Sequence, residues 1–139
     1  LYTELLTKLL NMKTEVLKEK YIAYNLTKDD VFKHQHYIII TRSGIEKIQA
    51  IEGINISYEV VKSEKDFAVV KAYGKVLKGS NEVNIQTFGS ALKGNCNTWY
   101  VLEMAEKRAL SRAVLKLTGF YELGVFGEDE SEDFKKSNN

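Results

Sequence analysis

The chain has 139 residues, of which 44% are hydrophobic and 28% charged, and this composition suits one compact domain with its own core. No apolar run approaches the roughly 18 residues that cross a bilayer, and the charged first 24 residues do not resemble a signal peptide. The single cysteine, Cys96, excludes an internal disulfide and leaves no CxxC pair for a structural metal, so we expect a cytoplasmic protein.

The net charge of +1 conceals an uneven distribution. Residues 128–133 hold five carboxylates, whereas residues 1–127 carry 18 basic and 14 acidic side chains, a net charge of +4. We therefore predict one domain over residues 1–127 and an acidic, disordered tail over residues 128–139. The basic body is compatible with nucleic-acid binding. The tail would recruit basic partners, shield a DNA site, or serve only solubility.

The first third of the chain predicts two helices around a strand. Leucines at helical spacing predict an amphipathic helix over Tyr2–Lys20, and an apolar run predicts a buried strand over Tyr37–Thr41. Ser43 and Glu46 have the spacing of a capping box. A short helix should therefore begin after Ser43 and end at Gly53.

Three β-rich runs follow, and the short turns between them favour antiparallel hairpins. The runs cover Ile54–Lys62, Phe67–Leu77 and Glu82–Phe88. After a loop, residue 97 or 98 caps a long helix that continues to Lys116 or Leu117. We therefore predict an α+β fold in which an antiparallel three- to four-stranded meander packs on this long C-terminal helix. An N-terminal helix and a short helix precede the meander.

The middle run of the meander alternates between two kinds of side chain. One face holds small residues that suit close packing of a helix, namely Ala68, Val70, Ala72, Gly74 and Val76. The opposite face carries Lys71, Tyr73 and Lys75. Because lysines neutralise phosphates and an aromatic ring stacks on a base, this face predicts contact with single-stranded nucleic acid. The alternative is a half-exposed strand whose lysines are only solvated.

The long helix carries a row of cations. Arg108, Arg112 and Lys116 are four residues apart and therefore align along one side of the helix. Like charges at this spacing repel by about 0.2–0.5 kcal/mol unless an anion lies across them. A phosphate backbone is one such anion. The alternative is a solvent-exposed face with salt bridges, for example between Glu103 and Lys107.

Catalysis has little basis in the sequence. His34 and His36 would share one face of a strand, but no third ligand with the usual spacing completes a metal site. Asp29 and Asp30 are adjacent, point in different directions and make a poor pair for two metals. No P-loop, GxGxxG or GxSxG motif is present. We predict a protein that is not an enzyme and needs no metal or cofactor. A metal enzyme built on the two histidines is the minor alternative.

The segment from Trp99 to Leu115 resembles the (E)xAExRAxxRAL helix of single-strand annealing proteins from phages and from the eukaryotic Rad-fifty-two-like recombination family. The predicted order of elements from Phe32 to Tyr121 is similar to the β-β-β-α core of that superfamily. The resemblance implies a phage-type recombination mediator in a bacterial host cell, which binds and anneals single-stranded DNA without a nucleotide cofactor. It also implies homo-oligomeric rings or filaments, with a host single-strand-binding or replication protein as a candidate partner.

The resemblance further implies a positively charged groove between the meander and the long helix. The DNA-binding residues would be Arg42, Lys71, Tyr73, Lys75, Lys107, Arg108, Arg112 and Lys116. Val125, Phe126 and the first helix would serve subunit contacts. The competing hypothesis is an α+β interaction module whose basic face meets an acidic partner, either another protein or the chain's own tail.

Overall fold

A computed structural model describes residues 1–95 and 100–130. Within these ranges the helices are α1 (Tyr2–Ala23), α2 (Arg42–Glu52) and α3 (Val101–Leu117). The strands are β1 (Val31–His34), β2 (Tyr37–Ile40), β3 (Asn55–Ser63), β4 (Phe67–Lys78), β5 (Asn81–Leu92) and β6 (Val125–Gly127). The predicted α+β class, and the meander packed on a long helix, are confirmed. Cys96, the predicted caps at residues 97 and 98, and the tail after residue 130 lie outside the described residues.

The strands form two three-stranded sheets. In the larger sheet, β3, β4 and β5 follow one another as an antiparallel meander, interrupted by a bulge in β3 between Val60 and Lys62. In the smaller sheet, β1 and β2 form a hairpin, and β6 adds to β2 in parallel. The sequence did not predict β1 or β6. Strands of three or four residues are too short for alternation to reveal them.

Helix α3 packs on the side of β4 that carries the small side chains, as predicted. Ala105 and Ala109 of α3 lie against Ala68, Val70 and Ala72. The approach to β5 is closer still, because a Cβ added to Gly89 would lie 2.1 Å from the Ala105 carbonyl oxygen. Only glycine allows a helix backbone to come this near to a strand.

The opposite side of α3 is also covered, so the helix lies between two layers. A second apolar cluster joins Val114 and Leu115 of α3 to α1, α2 and the smaller sheet. Val125 is fully buried in this cluster, and the Phe126 ring packs edge-on against Tyr37. Val125 is therefore inaccessible, which corrects its predicted role in subunit contacts, whereas Phe126 is only partly buried and its predicted role stays a prediction.

The N-terminus of α2 differs from the predicted capping box. The N-cap is Thr41, whose Oγ1 accepts a hydrogen bond from the Gly44 amide at 3.3 Å. Ser43 instead donates to Asp30 at 2.6 Å, and that buried carboxylate also accepts from Lys47 at 2.6 Å. These bonds, chiefly the one from Lys47, hold the pKa of Asp30 well below its usual range. The predicted end at Gly53 is confirmed by its left-handed backbone, with φ +70°.

Candidate nucleic-acid interface

The side of the β3–β5 sheet that faces away from α3 is called the open face here. It consists of the odd-numbered residues of β4 and the residues paired with them across the sheet. Its members are Asn55, Ser57, Glu59 and Lys62 of β3, Phe67, Val69, Lys71, Tyr73, Lys75 and Leu77 of β4, and Glu82, Asn84, Gln86, Phe88, Ser90 and Leu92 of β5. None of these residues is buried, so the open face is accessible along its whole length.

A cation between two aromatic rings marks the centre of the open face. The Lys71 ammonium lies 5.0 Å from the ring centre of Tyr73 and 5.6 Å from that of Phe88. These distances fall within the range of a cation–π interaction. Phe88 is the partner of Lys71 across β4 and β5, and half of its side chain is exposed to solvent. An exposed ring beside an ammonium group can stack on a base while the cation contacts a phosphate.

The other polar groups of the open face are partly neutralised. Lys75 pairs with Glu82 at 3.4 Å, and Lys62 pairs with Glu64 at the same distance, with all four side chains about half exposed. Exposed pairs of this kind contribute roughly 0–1 kcal/mol, so an incoming phosphate can compete with them. Among the described residues, no carboxylate forms an ion pair with Lys71; Glu59 is its partner across β3 and β4, and that carboxylate accepts a hydrogen bond from the Tyr73 hydroxyl at 2.8 Å.

A shallow hollow of about 390 Å³ lies beside this centre, on the same face. Its floor is the backbone of Ile56, Gly74 and Ile85, and the two isoleucine side chains point to the other side of the sheet. The rim carries an aromatic ring, a cation and several side-chain amides and hydroxyls, from Asn55, Ser57, Tyr73, Lys75, Asn84 and Gln86. Amide groups around an aromatic ring offer donors and acceptors to the edge of a base.

The cations of α3 do not join the open face, because α3 lies on the other side of the sheet. Successive side chains of β4 point to opposite faces of the sheet. The small ones pack against α3, so Lys71, Tyr73 and Lys75 point away from α3. The structure therefore brings together these three predicted residues. It does not bring them together with Arg108 and Arg112, so the predicted groove lined by both sets is not formed.

Arg108 is a structural residue of the interior, with 1% of its surface exposed. Its guanidinium donates to the carbonyl oxygens of Ser90 at 2.8 Å, Asn95 at 2.9 Å and Asp129 at 3.1 Å. Arg112 donates to the Phe88 carbonyl at 2.7 Å. The two arginines thus satisfy carbonyl groups along the outer edge of β5, which would otherwise lack a partner.

The first residues of the acidic segment fold back onto these cations. Residues 128–130 begin a further helical segment, in which the buried Glu130 accepts from Arg112 at 2.7 Å. Glu128 accepts from the Arg42 amide at 2.7 Å. Burial, followed by the charge of Glu128, raises the pKa of Asp129, and nearby Lys107 opposes this shift. The expected disordered tail therefore does not begin at residue 128.

The remaining predicted cations also lie outside the open face. Arg42 is exposed at the start of α2 and pairs with Glu46 at 3.3 Å. Lys107 lies near Asp129, and Lys116 extends over the ring of Tyr121 at 5.0 Å. Arg42, Lys107, Arg108 and Arg112 are thus grouped around residues 128–130 rather than around an open groove.

The two histidines do not share a strand face as predicted. His34 is the last residue of β1. His36 belongs to the turn between β1 and β2, in which Gln35 has a positive φ of 58°. Within the described ranges, no group of three histidine, cysteine, aspartate or glutamate side chains is arranged to hold a metal ion.

Phe88 is the main residue of the open face that the sequence analysis missed. Its position on the open face could have been predicted from the turn between the second and third β-rich runs. A two-residue turn at Gly79 and Ser80 fixes the register of the hairpin. Counting back from that turn places Phe88 opposite Lys71, as the structure has it.

Comparisons with protein-family models, curated proteins and solved structures found no match for the chain. None of the helices in the described part of the chain has the length and apolar character that a membrane crossing requires.

Proposed function

We propose that this protein binds single-stranded nucleic acid across the open face and promotes the annealing of complementary strands. The observation that carries the proposal is the ammonium of Lys71 between the rings of Tyr73 and Phe88, on an exposed sheet surface; this ammonium has no ion-pair partner among the described residues. Stacking of bases on such rings tolerates any sequence, because every base has an aromatic face. Duplex DNA hides these faces, so the open face favours unpaired strands.

Annealing is the finer part of the proposal, and it rests on the resemblance of α3 to the single-strand annealing helix. The structure gives that helix a scaffolding role. Its Ala105 and Ala109 pack against the side of the sheet that faces away from the open face. Its Arg108 and Arg112 donate to carbonyl groups at the edge of β5. In this proposal the strand lies on the sheet, and α3 keeps the sheet in shape.

The binding test measures the fluorescence anisotropy of a labelled single-stranded oligonucleotide over a range of salt concentrations. Phe88→Ala should weaken binding about tenfold or more, because stacking is worth roughly 1–3 kcal/mol per base. Lys71→Gln should reduce the slope of log affinity against log salt by about 0.7, the value for one phosphate contact on a single strand. Lys116→Gln removes the same charge from the side of the molecule that carries α3 and should leave both quantities unchanged.

Equal losses in the Lys71 and Lys116 variants would refute the open face as the binding surface. Binding that does not depend on salt would refute the phosphate contacts. Annealing is measured separately, from the pairing of two complementary labelled oligonucleotides without a nucleotide cofactor. If the protein binds single strands and does not accelerate pairing, the annealing part fails and the binding part stands.

A second candidate function is an interaction module for a protein partner. The half-exposed apolar rings and side chains of the open face, such as Phe88 and Leu92, favour this candidate. The acidic partner that the sequence analysis assigned to the α3 cations is present within the chain, since Glu130 pairs with Arg112. A folded protein with no affinity for oligonucleotides at low salt would support the interaction module instead.

A further inference from the structure

The N-terminal half of α1 carries apolar side chains that residues 1–95 and 100–130 leave exposed. Helix α1 is attached to the body near its C-terminal end, where Leu17 and Tyr24 join the core cluster. A separate stripe consists of Tyr2, Leu5, Leu9, Met12 and Val16, each between 40% and 75% exposed. This inference does not depend on the proposed function, because α1 contributes nothing to the open face.

The spacing of this stripe is that of a coiled-coil seam. The intervals between its members alternate between three and four residues, which corresponds to the a and d positions of a heptad. The stripe lies on a different side of the helix from Leu17, which faces the body. A second helix can therefore pack along the stripe without displacing the contact between α1 and the core.

From this spacing we propose that α1 pairs with α1 of a second copy of the chain, in antiparallel orientation. When the helix is laid against a reversed copy of itself with Leu9 facing Met12, four of the six layers of the seam pair two apolar side chains, and the outermost layer at each end places Tyr2 beside Glu19 of the second copy. Leu5 then faces Val16 of the second copy, Leu9 faces Met12, and each contact occurs twice by symmetry. The overlap extends from residue 2 to residue 19, which is nearly the entire helix.

The charges beside the seam select the antiparallel orientation. Lys8 and Glu15 both occupy g positions, which face each other in an antiparallel pair, so each Lys8 meets a Glu15 of the second copy. In a parallel pair, Lys8 would instead meet Lys13, an e position of like charge. Glu15 would meet Lys20 in that orientation, but the Lys20 ammonium already donates to the Thr118 carbonyl of its own chain at 2.5 Å. Among the described residues, Glu15 pairs only with the exposed Lys18 at 3.8 Å, a weak contact that leaves its carboxylate available to a second copy.

The test measures the dissociation constant of the dimer by sedimentation equilibrium for the wild type and three charge variants. Lys8→Glu and Glu15→Lys should each weaken the dimer about tenfold, because two attractive pairs become repulsive. The double variant, which exchanges the two charges, should restore the wild-type constant. Glu4→Lys is the matched control for Glu15→Lys, since it makes the same change of charge at a c position outside the seam.

Three outcomes would overturn the proposal. A wild-type protein that stays monomeric at high micromolar concentration would rule out pairing of α1 with a second copy. Tighter association of the Lys8→Glu variant would indicate a parallel pair. Equal constants for all the variants would indicate association through a different surface. Circular dichroism of each variant confirms that α1 remains helical, so a loss of association cannot be attributed to unfolding of the helix.

Discussion

Arg108→Met removes a buried cation while keeping most of the side-chain volume. The variant tests whether Arg108 has a structural role or a DNA-binding role. The variant leaves the carbonyl oxygens of Ser90, Asn95 and Asp129 without the guanidinium that now donates to them. A hydrogen bond to a charged group contributes roughly 1.5–3 kcal/mol, and water can replace part of this loss at the edge of β5. The variant should therefore lose about 4 kcal/mol of unfolding free energy.

Urea denaturation followed by circular dichroism measures this loss. With a denaturant slope of about 2 kcal/mol per molar urea, the midpoint should fall by about 2 M. Lys116→Met is the matched control from the exposed end of the same row, and it should cost less than about 1 kcal/mol. The structural role would be refuted by an Arg108→Met protein of nearly wild-type stability that has lost its affinity for oligonucleotides.

Two further predictions concern the close packing of α3 and the buried carboxylate next to α2. Gly89→Ala should lower the melting temperature by about 10 °C, because the new methyl group meets the Ala105 carbonyl at 2.1 Å. A melting temperature within about 2 °C of the wild type would contradict the close packing of α3 on β5. Asp30→Asn should destabilise the protein at pH 7 by about 1–3 kcal/mol, whereas the exposed neighbour Asp29→Asn should not. Because Lys47 lowers the pKa of Asp30 in the folded state, its contribution is complete above the unfolded pKa of about 3.9 and decreases at lower pH. Urea denaturation at pH 7 and pH 3 should therefore show a smaller difference between wild type and Asp30→Asn at pH 3.

The parts of the fold that follow local periodicity could be predicted from the sequence. Alternation in β4 assigned Ala68, Val70 and Ala72 to the helix side, and the structure buries all three. The glycines that end α2 and follow α3, Gly53 and Gly119, both have positive φ. These features depend on neighbours a few residues away, and so the sequence contains the information directly.

The burial of Arg108 could not be predicted in the same way. The sequence suggests a helix with one apolar side, yet α3 lies between two layers, and the second layer depends on short strands from both ends of the chain. The groups that make a buried guanidinium tolerable come from Ser90, Asn95 and Asp129, which are distant in sequence. A row of cations spaced four apart therefore predicts alignment along a helix, but not exposure.

Only part of the candidate site could be predicted from the sequence. Lys71, Tyr73 and Lys75 were identified from the pattern of a single strand, and they do share the open face. Their connection with the α3 cations came from the resemblance, and the structure separates the two groups by the thickness of the sheet. Phe88 required the register of a hairpin in addition to the strand pattern, which is a longer but still local inference.

The pairing of β6 with β2 determines when this protein can complete its fold during synthesis. Ile39 and Ile40 lie in a strand near the N-terminus and are fully buried, yet their sheet is finished only by Val125 and its neighbours. Until the segment that contains β6 has left the ribosome, the edge of β2 lacks its partner strand. Pairing between strands that are far apart in the sequence is slow. A newly made chain would therefore benefit from a chaperone that covers β2, and fragments that end before β6 should be prone to aggregate.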